Sequence, residues 1–154
     1  MNILNDDVLI NILNILTTKE LFKFCICNRF NFAFLKRNIK YFKFNFQDNF
    51  ITDNGLEYLK GVHTITLYNC NKITDNGLQY LKGVHTINLY YCNKITDNGL
   101  EYLKCVHTIN LFFLDQITDK CLEYLKGVHT ISLSCCNQIT DKGLEYLKNA
   151  KINK

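Results

Sequence analysis

The chain has 154 residues, of which 47% are hydrophobic, and its 18 basic and 14 acidic residues give a formal net charge of +4. This length and hydrophobic content suffice for one domain, or for a small domain followed by a short array, and they exclude a disordered chain. No apolar run reaches the roughly 18 residues that a membrane span requires, and the start is acidic where a signal peptide is basic. We therefore expect a soluble protein without a membrane partner.

The basic excess is concentrated around Lys36, Arg37, Lys40 and Lys43. A cluster of this kind is able to contact phosphates, but it carries no known nucleic-acid-binding motif. We interpret it as a solvated connector and expect no nucleic-acid partner.

Apolar side chains recur at helical spacing near the N-terminus, where Val8, Leu9, Ile12, Leu13 and Leu16 form one broad stripe. This pattern predicts an amphipathic helix. The apolar face of this helix is broader than so small a helical unit can bury, which indicates that part of it remains exposed for a partner.

A second helix is predicted to begin at Thr17, because Thr17 and Glu20 have the spacing of a capping box and lead into an apolar run from Leu21. A third apolar stretch follows Asn28 and Arg29. Because roughly 40 residues rarely form an autonomous core, these helices either expose a binding surface or shield the first unit of the array that follows.

A 22-residue block reading ITDNGLEYLKGVHTITLYNCNK starts at Ile51 and begins again at Ile73, Ile95, Ile117 and Ile139, the fifth copy being partial. Its length and apolar spacing are those of a leucine-rich repeat. Within the block, Ile65 and Leu67 alternate with threonines and predict a short strand. Residues 52–61 carry helix start and stop signals and predict about two turns of helix.

The array extends beyond the regular copies in both directions. Ile39, Phe42 and Phe44 fit the repeat template slightly out of register, which predicts a degenerate first coil over residues 39–50. At the other end Ala150 occupies a valine column, and we expect fraying or a short last coil there. The fold class is therefore α/β, a leucine-rich-repeat solenoid with parallel strands on the concave face and short helices on the convex face.

The chain also resembles F-box/leucine-rich-repeat proteins. The N-terminal region resembles the F-box motif at residues 4–9, 12–13, 16, 20–21 and 27–30, and the repeats, which read CNKITDxGL, look like the cysteine-containing repeat subtype. The Asn-rich, nearly identical copies are similar to those encoded by giant DNA viruses of amoebae. The resemblance implies an F-box-like helical unit over residues 1–38 and repeats over residues 39–154.

This resemblance further implies a substrate-recognition adaptor of an SCF-type (cullin-RING) ubiquitin ligase, which binds a Skp-family linker protein through its helices and a target protein through its repeats. The adaptor-binding residues would be Leu4, Val8, Leu9, Ile12, Leu13, Leu16 and Leu21. The alternative is a stand-alone interaction scaffold whose N-terminal helices only cap the array.

The eight cysteines do not read as a disulfide or zinc framework, since no C-x-x-C pair occurs. Cys70, Cys92 and Cys136 occupy one repeat column and are expected to be buried thiols, which indicates a reducing cytoplasm or nucleus. Cys105 and Cys121 replace glycines at positions that we interpret as tolerant surface sites.

Four histidines, at positions 63, 85, 107 and 129, recur every 22 residues and predict a ladder along the strand entrance. A linear ladder does not converge on a metal ion as a tetrahedral zinc site requires. The sequence contains no phosphate loop, nucleophile elbow or paired-carboxylate pocket, and we expect no cofactor, no metal and no enzymatic activity.

The copies differ most in the columns of the predicted concave sheet, where aromatic residues concentrate on the middle coils, while the exposed helix columns hardly change. Neutral variation is the alternative explanation. The predicted target-binding residues are Thr66, Tyr68, Asn88, Tyr90, Tyr91, Asn110, Phe112 and Phe113.

Overall fold

The structure is a computed structural model that describes residues 10, 11, 13, 14, 16–26 and 29–154. Ile10, Asn11 and Leu13 are helical, in agreement with the first predicted helix, whereas Val8, Leu9 and Ile12 lie outside the described residues. Helix α1 (Thr18–Ile26) begins at the predicted capping box. The backbone N–H of Thr17 donates to Glu20 Oε2 at 2.8 Å, and the N–H of Glu20 donates to Thr17 Oγ1 at 3.3 Å. Helix α2 (Arg29–Asn38) follows and continues as a 3₁₀ turn, Ile39–Tyr41.

Six parallel strands then form one sheet in chain order, which confirms the predicted solenoid. The strands are β1 (Lys43–Gln47), β2 (Thr64–Tyr68), β3 (Thr86–Tyr90), β4 (Thr108–Asn110), β5 (Thr130–Ser132) and β6 (Lys151–Asn153). Strands β1 and β6 confirm the degenerate first coil and a short last coil.

Each coil returns through a short helical segment. The α-helical parts are α3 (Asp53–Leu56), α4 (Asp75–Leu78), α5 (Asp97–Leu100), α6 (Asp119–Tyr124) and α7 (Asp141–Leu144). All but α6 continue as a 3₁₀ turn, at Glu57–Leu59, Gln79–Leu81, Glu101–Leu103 and Glu145–Leu147. The expected two turns of regular helix are therefore one α turn and one 3₁₀ turn. The tighter 3₁₀ turn brings residues three apart onto one side, which lets Leu56 and Leu59 both point inward.

The core runs through the array as one column per repeat position. Ile65, Leu67, Leu56, Leu59 and Cys70 of the first regular coil are fully buried. Because the register between β2 and β3 is 22 residues, each buried strand residue lies beside its own equivalent, as Ile65 does beside Ile87. The single coil buries too little surface to be stable alone, so its leucines depend on the next coil.

The turn that ends the helical segment differs between coils. Gly61 and Gly83 have φ of 85° and 82°, the left-handed conformation that glycine adopts without steric cost. Cys105 replaces that glycine in the next coil, and the preceding Lys104 stays helical with ψ of −18° where Lys60 has ψ of 128°. The chain thus avoids placing a cysteine in the strained conformation.

Candidate protein-binding surface

The concave face is formed by the strand residues that alternate with the buried isoleucines and leucines. Thr66, Asn88 and Asn110 are half-buried there and lie side by side in neighbouring strands. The side-chain amide of Asn88 donates to Thr66 Oγ1 at 3.0 Å. The side-chain amide of Asn110 donates to the hydroxyl of Tyr90 at 3.2 Å, and its Oδ1 accepts the backbone N–H of Phe112 at 3.0 Å. These bonds fix the polar floor of the face before any partner binds.

Tyr68, Tyr90 and Phe112 lie two residues further along their chains, on the same face. The ring centroids of Tyr68 and Tyr90 are 6.3 Å apart, and those of Tyr90 and Phe112 are 6.1 Å apart. Tyr68 is 43% exposed, while the other two rings are half-buried. The sequence prediction that these aromatics share one surface agrees with this geometry.

Tyr91 and Phe113 occupy a different position from the one expected. They lie in the turn that follows the strand, with φ of 54° and 57°, and not on the sheet itself. A left-handed residue reverses the chain direction at this point, and Asn69 and Cys135 do the same in their coils.

The two turn residues nevertheless complete a continuous set of rings. Tyr91 contacts Tyr68 at 5.6 Å, Phe112 at 5.4 Å and Phe113 at 5.0 Å between centroids. We call Tyr68, Tyr90, Tyr91, Phe112 and Phe113 the aromatic cluster. It covers the carboxyl ends of the middle strands, and its edge-on and tilted contacts are those that aromatic pairs favour.

The four histidines form a stacked ladder at the opposite, amino-terminal end of the strands, as predicted. Successive ring centroids are 4.5 Å apart with an interplanar angle of 12°. Each ring directs Nδ1 toward the hydroxyl of the following threonine, at distances from 3.0 Å in His129 to 3.3 Å in His63. Desolvation, and then the charges of His129 and His85, lower the pKa of His107. Within the described part of the chain, no group of three or more His, Cys, Asp or Glu residues is placed to hold a metal ion.

The N-terminal leucines are placed differently from the expected adaptor contacts. Leu13 and Leu21 are 4% and 2% exposed and belong to the hydrophobic core, while Leu16 is half-buried against it. Their burial corrects the prediction that Leu13 and Leu21 face a partner, because packing on the first coil already uses their apolar surface. Leu4, Val8, Leu9 and Ile12 lie outside the described residues.

These helices cover the outer edge of β1. The hydroxyl of Thr18 accepts the backbone N–H of Asn45 at 2.8 Å, which satisfies a donor that no neighbouring strand pairs. Beside this contact lies a cavity of about 960 Å³, whose apolar lining includes Leu13, Leu16, Leu21, Phe46 and Phe50. Side chains of the N-terminal helices and of the first coil therefore line the same cavity.

The cysteine column is buried as predicted, with Cys70 and Cys92 at 0% and Cys136 at 7% exposure. Cys105 is exposed, but Cys121 is fully buried, so its interpretation as a tolerant surface site was wrong. The glycine column that Cys121 continues packs against the preceding coil, where Gly77 and Gly99 are also buried. Repeat position alone did not reveal this contact between coils.

Comparisons with known proteins agree with the architecture. The family model described as "Leucine Rich repeat" matches residues 84–104 and 128–148. A search of curated proteins finds no match. No helix in the described ranges is long and apolar enough to cross a bilayer. The chain therefore contains leucine-rich repeats and folds as a leucine-rich-repeat solenoid.

Two solved structures share this fold. One is described as the crystal structure of the Rad7 and Elc1 complex in yeast, with a TM-score of 0.60 and 15% identity over 70% of this chain and 31% of that chain. The other is the Toll–Spatzle complex of Drosophila, with a TM-score of 0.50 and 16% identity over 80% of this chain and 21% of that chain. The present chain thus spans less than a third of either neighbour, and at these identities the likeness concerns the fold alone.

Proposed function

We propose that the chain is a protein-recognition scaffold that binds a target protein on the aromatic cluster and the polar floor beside it. The carrying observation is the continuity of the five rings, in which every member lies within 6.3 Å of another. Tyrosine and other large aromatics dominate the energetic centres of protein interfaces, because they bury much apolar area with few rotatable bonds. The concave face of a solenoid is also its extended binding surface.

The polar floor gives this surface its orientation. Thr66, Asn88 and Asn110 are already hydrogen-bonded within the sheet, so a partner would meet fixed groups and lose little side-chain entropy on their side. This arrangement favours recognition of one defined surface over non-specific adhesion.

The test begins with target identification by proximity labelling and continues with a double variant, Tyr90→Ser with Phe112→Ser. We expect each change to weaken target binding by about 2 kcal/mol or more, roughly thirtyfold. The matched control is Tyr58→Ser with Tyr80→Ser on the convex face, where Tyr58 is 62% exposed. Thermal unfolding of both double variants monitors folding. Unchanged target recovery in the concave variant, with loss in the convex one, would move the site to the helical face.

We propose as a second, finer function that this scaffold serves as a substrate-recognition adaptor of an SCF-type ubiquitin ligase. The support is the F-box resemblance, together with a capping box at Thr17 and Glu20 where the motif's second helix begins. A Skp-family linker would then contact the remaining motif residues, namely Leu4, Val8, Leu9 and Ile12, together with the half-buried Leu16. The burial of Leu13 and Leu21 favours the alternative of a capping unit, and the experiment separates the two.

A pull-down from a eukaryotic lysate tests the adaptor function. Wild-type protein should recover a Skp-family linker, and Leu9→Asp should abolish this recovery, with the melting temperature of the variant measured alongside. Leu13→Asp serves as the folding control, since an aspartate at this buried position should lower the melting temperature. If the wild-type chain recovers no linker, or if Leu9→Asp recovers it equally well, the chain is a stand-alone scaffold with an N-terminal cap.

A further inference from the structure

Histidines and lysines lie along the amino-terminal rim of the concave face. We call His63, His85, His107 and His129 the histidine rim. The register places Lys43 beside Thr64 and Lys151 beside Thr130, so a lysine lies in the neighbouring threonine column at each end of the ladder. Both terminal strands are shifted by 21 residues in place of 22, which removes the histidine position from the first and last coils. The four histidines thus span the four middle coils, and the aromatic cluster lies on three of the same coils.

The imidazoles present their outer edges to solvent. All four histidines are exposed, and because Nδ1 of each ring faces a threonine hydroxyl, Nε2 lies on the far side of the ring. In the described part of the chain, no hydrogen bond to Nε2 occurs. A protonated imidazole donates from both nitrogens, so each ring has a donor free for an external acceptor once it is charged.

Within the described part of the chain, no carboxylate is among the charged groups that act on His107. His85 and His129 are the charged groups that act on His107. Two of the exposed lysines that end the helical segments turn to the convex side: Lys60 Nζ lies 4.8 Å from the ring of Tyr80, and Lys82 Nζ lies 4.9 Å from the ring of Tyr102. The exposed acids Asp48 and Asp115 follow the carboxyl ends of their strands, at the opposite rim. An anionic row from a partner would therefore relieve the repulsion between stacked imidazolium groups.

The spacing of the ladder selects the form of that partner. Side chains three or four positions apart on a helix lie about 5–6 Å from one another, whereas alternate side chains of a strand are about 6.6 Å apart. The 4.5 Å step between imidazoles is closer to the helical spacing. A helix, which is about 10–12 Å wide with its side chains, would lie on the concave sheet between the histidine rim and the aromatic cluster.

We propose that the segment bound on the concave face is an amphipathic helix that packs its apolar side on the aromatic cluster and aligns a row of carboxylates with the histidine rim. This inference rests on the proposed target-binding function of the concave face. Since carboxylates favour the charged imidazole, binding takes up protons, and by linkage the complex tightens as the pH falls through the imidazole range.

The probe is a synthetic helical peptide of about 18 residues with a Leu/Phe stripe and glutamates at i, i+4, i+7 and i+11 beside it. At about 27 Å long, it extends about one turn beyond the ladder at each end. Its matched partner carries lysines at the same four positions. Fluorescence anisotropy at constant ionic strength gives the dissociation constants at about pH 7.5 and about pH 5.5, on either side of the ordinary imidazole pKa. A single-stranded oligonucleotide of equal charge distinguishes carboxylate recognition from general polyanion binding.

We expect the glutamate peptide to bind about tenfold more tightly at the lower pH and the lysine peptide to bind at least about tenfold more weakly than the glutamate peptide. His85→Gln with His107→Gln removes two of the four rim imidazoles and should reduce the pH dependence from about tenfold to about threefold, whereas the convex Lys60→Gln with Lys82→Gln should leave it intact. Equal binding of the two peptides, absence of binding by either, an unchanged pH dependence in the histidine variant, or equally tight binding of the oligonucleotide would each overturn the proposal.

The proposed function fails by a different outcome. If Tyr90→Ser with Phe112→Ser leaves both peptide and target binding unchanged, the aromatic cluster is not the binding site. If that variant loses the identified target while binding is insensitive to pH and to the histidine changes, the target site stands and the acidic helix does not.

Discussion

The carboxylate of Asp75 joins its coil to the next by accepting two hydrogen bonds from Thr96, from the backbone N–H at 2.8 Å and from the hydroxyl at 2.6 Å. The Thr96 hydroxyl in turn accepts the N–H of Asn98 at 3.3 Å and thereby caps its own helix. The same carboxylate–threonine bridge connects Asp53 to Thr74, Asp97 to Thr118 and Asp119 to Thr140. One threonine therefore serves both the start of a helix and the contact between coils.

Removing this bridge should destabilise the array. Asp75→Ala leaves the Thr96 N–H and hydroxyl without their charged acceptor, and we expect a loss of about 2 kcal/mol in the free energy of unfolding, measured by urea titration. Asp141→Ala is the matched control, because Asp141 begins its helix in the same way but bonds the exposed Lys154 Nζ at 3.2 Å. That control should change stability by less than about 0.5 kcal/mol. An equal loss in both variants would assign the effect of Asp75 to the helix start and not to the bridge.

The aspartate of each bridge lies against the position three residues after its threonine partner, which is a glycine in three coils (Gly77, Gly99 and Gly143) and Cys121 in the fourth. A Cβ atom added at Gly99 would collide with the Asp75 carboxylate, whereas one added at Gly127 meets no atom within 4 Å. Gly99→Ala should therefore cost about 1–3 kcal/mol, while Gly127→Ala should stay within about 0.5 kcal/mol of wild type. Thermal unfolding of the two single variants measures the difference. Equal stabilities would mean that the coil adjusts freely around the added methyl group.

The parallel strands, the buried leucine columns and the capping box were predictable because each depends on a local pattern. Ile65 and Leu67 alternate with threonines, and Glu20 follows Thr17 at the spacing that a reciprocal cap requires. A repeat period then aligns equivalent residues in neighbouring coils without further information. At the candidate site, the alternation along the strand and the repeat period together predict that Tyr68, Tyr90 and Phe112 share one face.

The remaining features depend on how the coils stack, which a single repeat does not encode. An aspartate at a helix start suits the macrodipole whatever lies nearby, so the bridge from Asp75 to Thr96 was missed. Cys121 looked like a site that tolerates substitution, because its own repeat does not show that the previous coil packs against this position. Leu13 is buried because the first coil offers it an apolar edge, and the sequence pattern of an amphipathic helix does not say which neighbour covers its stripe.

Burial should divide the cysteines by reactivity. The hydrogen bond with the Cys70 thiol, and next burial, raise the pKa of Cys92, and burial raises the pKa of Cys121. Since the thiolate is the reactive form, iodoacetamide should label exposed Cys105 and Cys135 first, with Cys92 and Cys121 slower by at least about tenfold. Peptide mass spectrometry after timed quenching measures each rate, and urea-unfolded protein provides the control in which all sites react. Equal rates in the folded protein would show that the cysteine columns open readily.

The histidine ladder should make stability depend on pH in a narrow window. Desolvation and the charges of His129 and His85 lower the pKa of His107 below its ordinary value of 6.5, so the unfolded chain binds more protons than the folded chain as the pH falls through that value. Stability should be highest above about pH 6.5 and should decline toward about pH 5, as measured by urea midpoints at constant ionic strength. Asp119 and Glu20, whose pKa values are lowered mainly by hydrogen bonds from Thr140 and Thr17, lose their contributions only at lower pH, so the two effects separate. His107→Gln should reduce the loss of stability between about pH 6.5 and about pH 5. The further loss of stability below about pH 4.5, where carboxylates become protonated, should be unchanged. A wild-type profile without this decline, or a variant that retains it, would show that protonating the ladder costs the fold nothing.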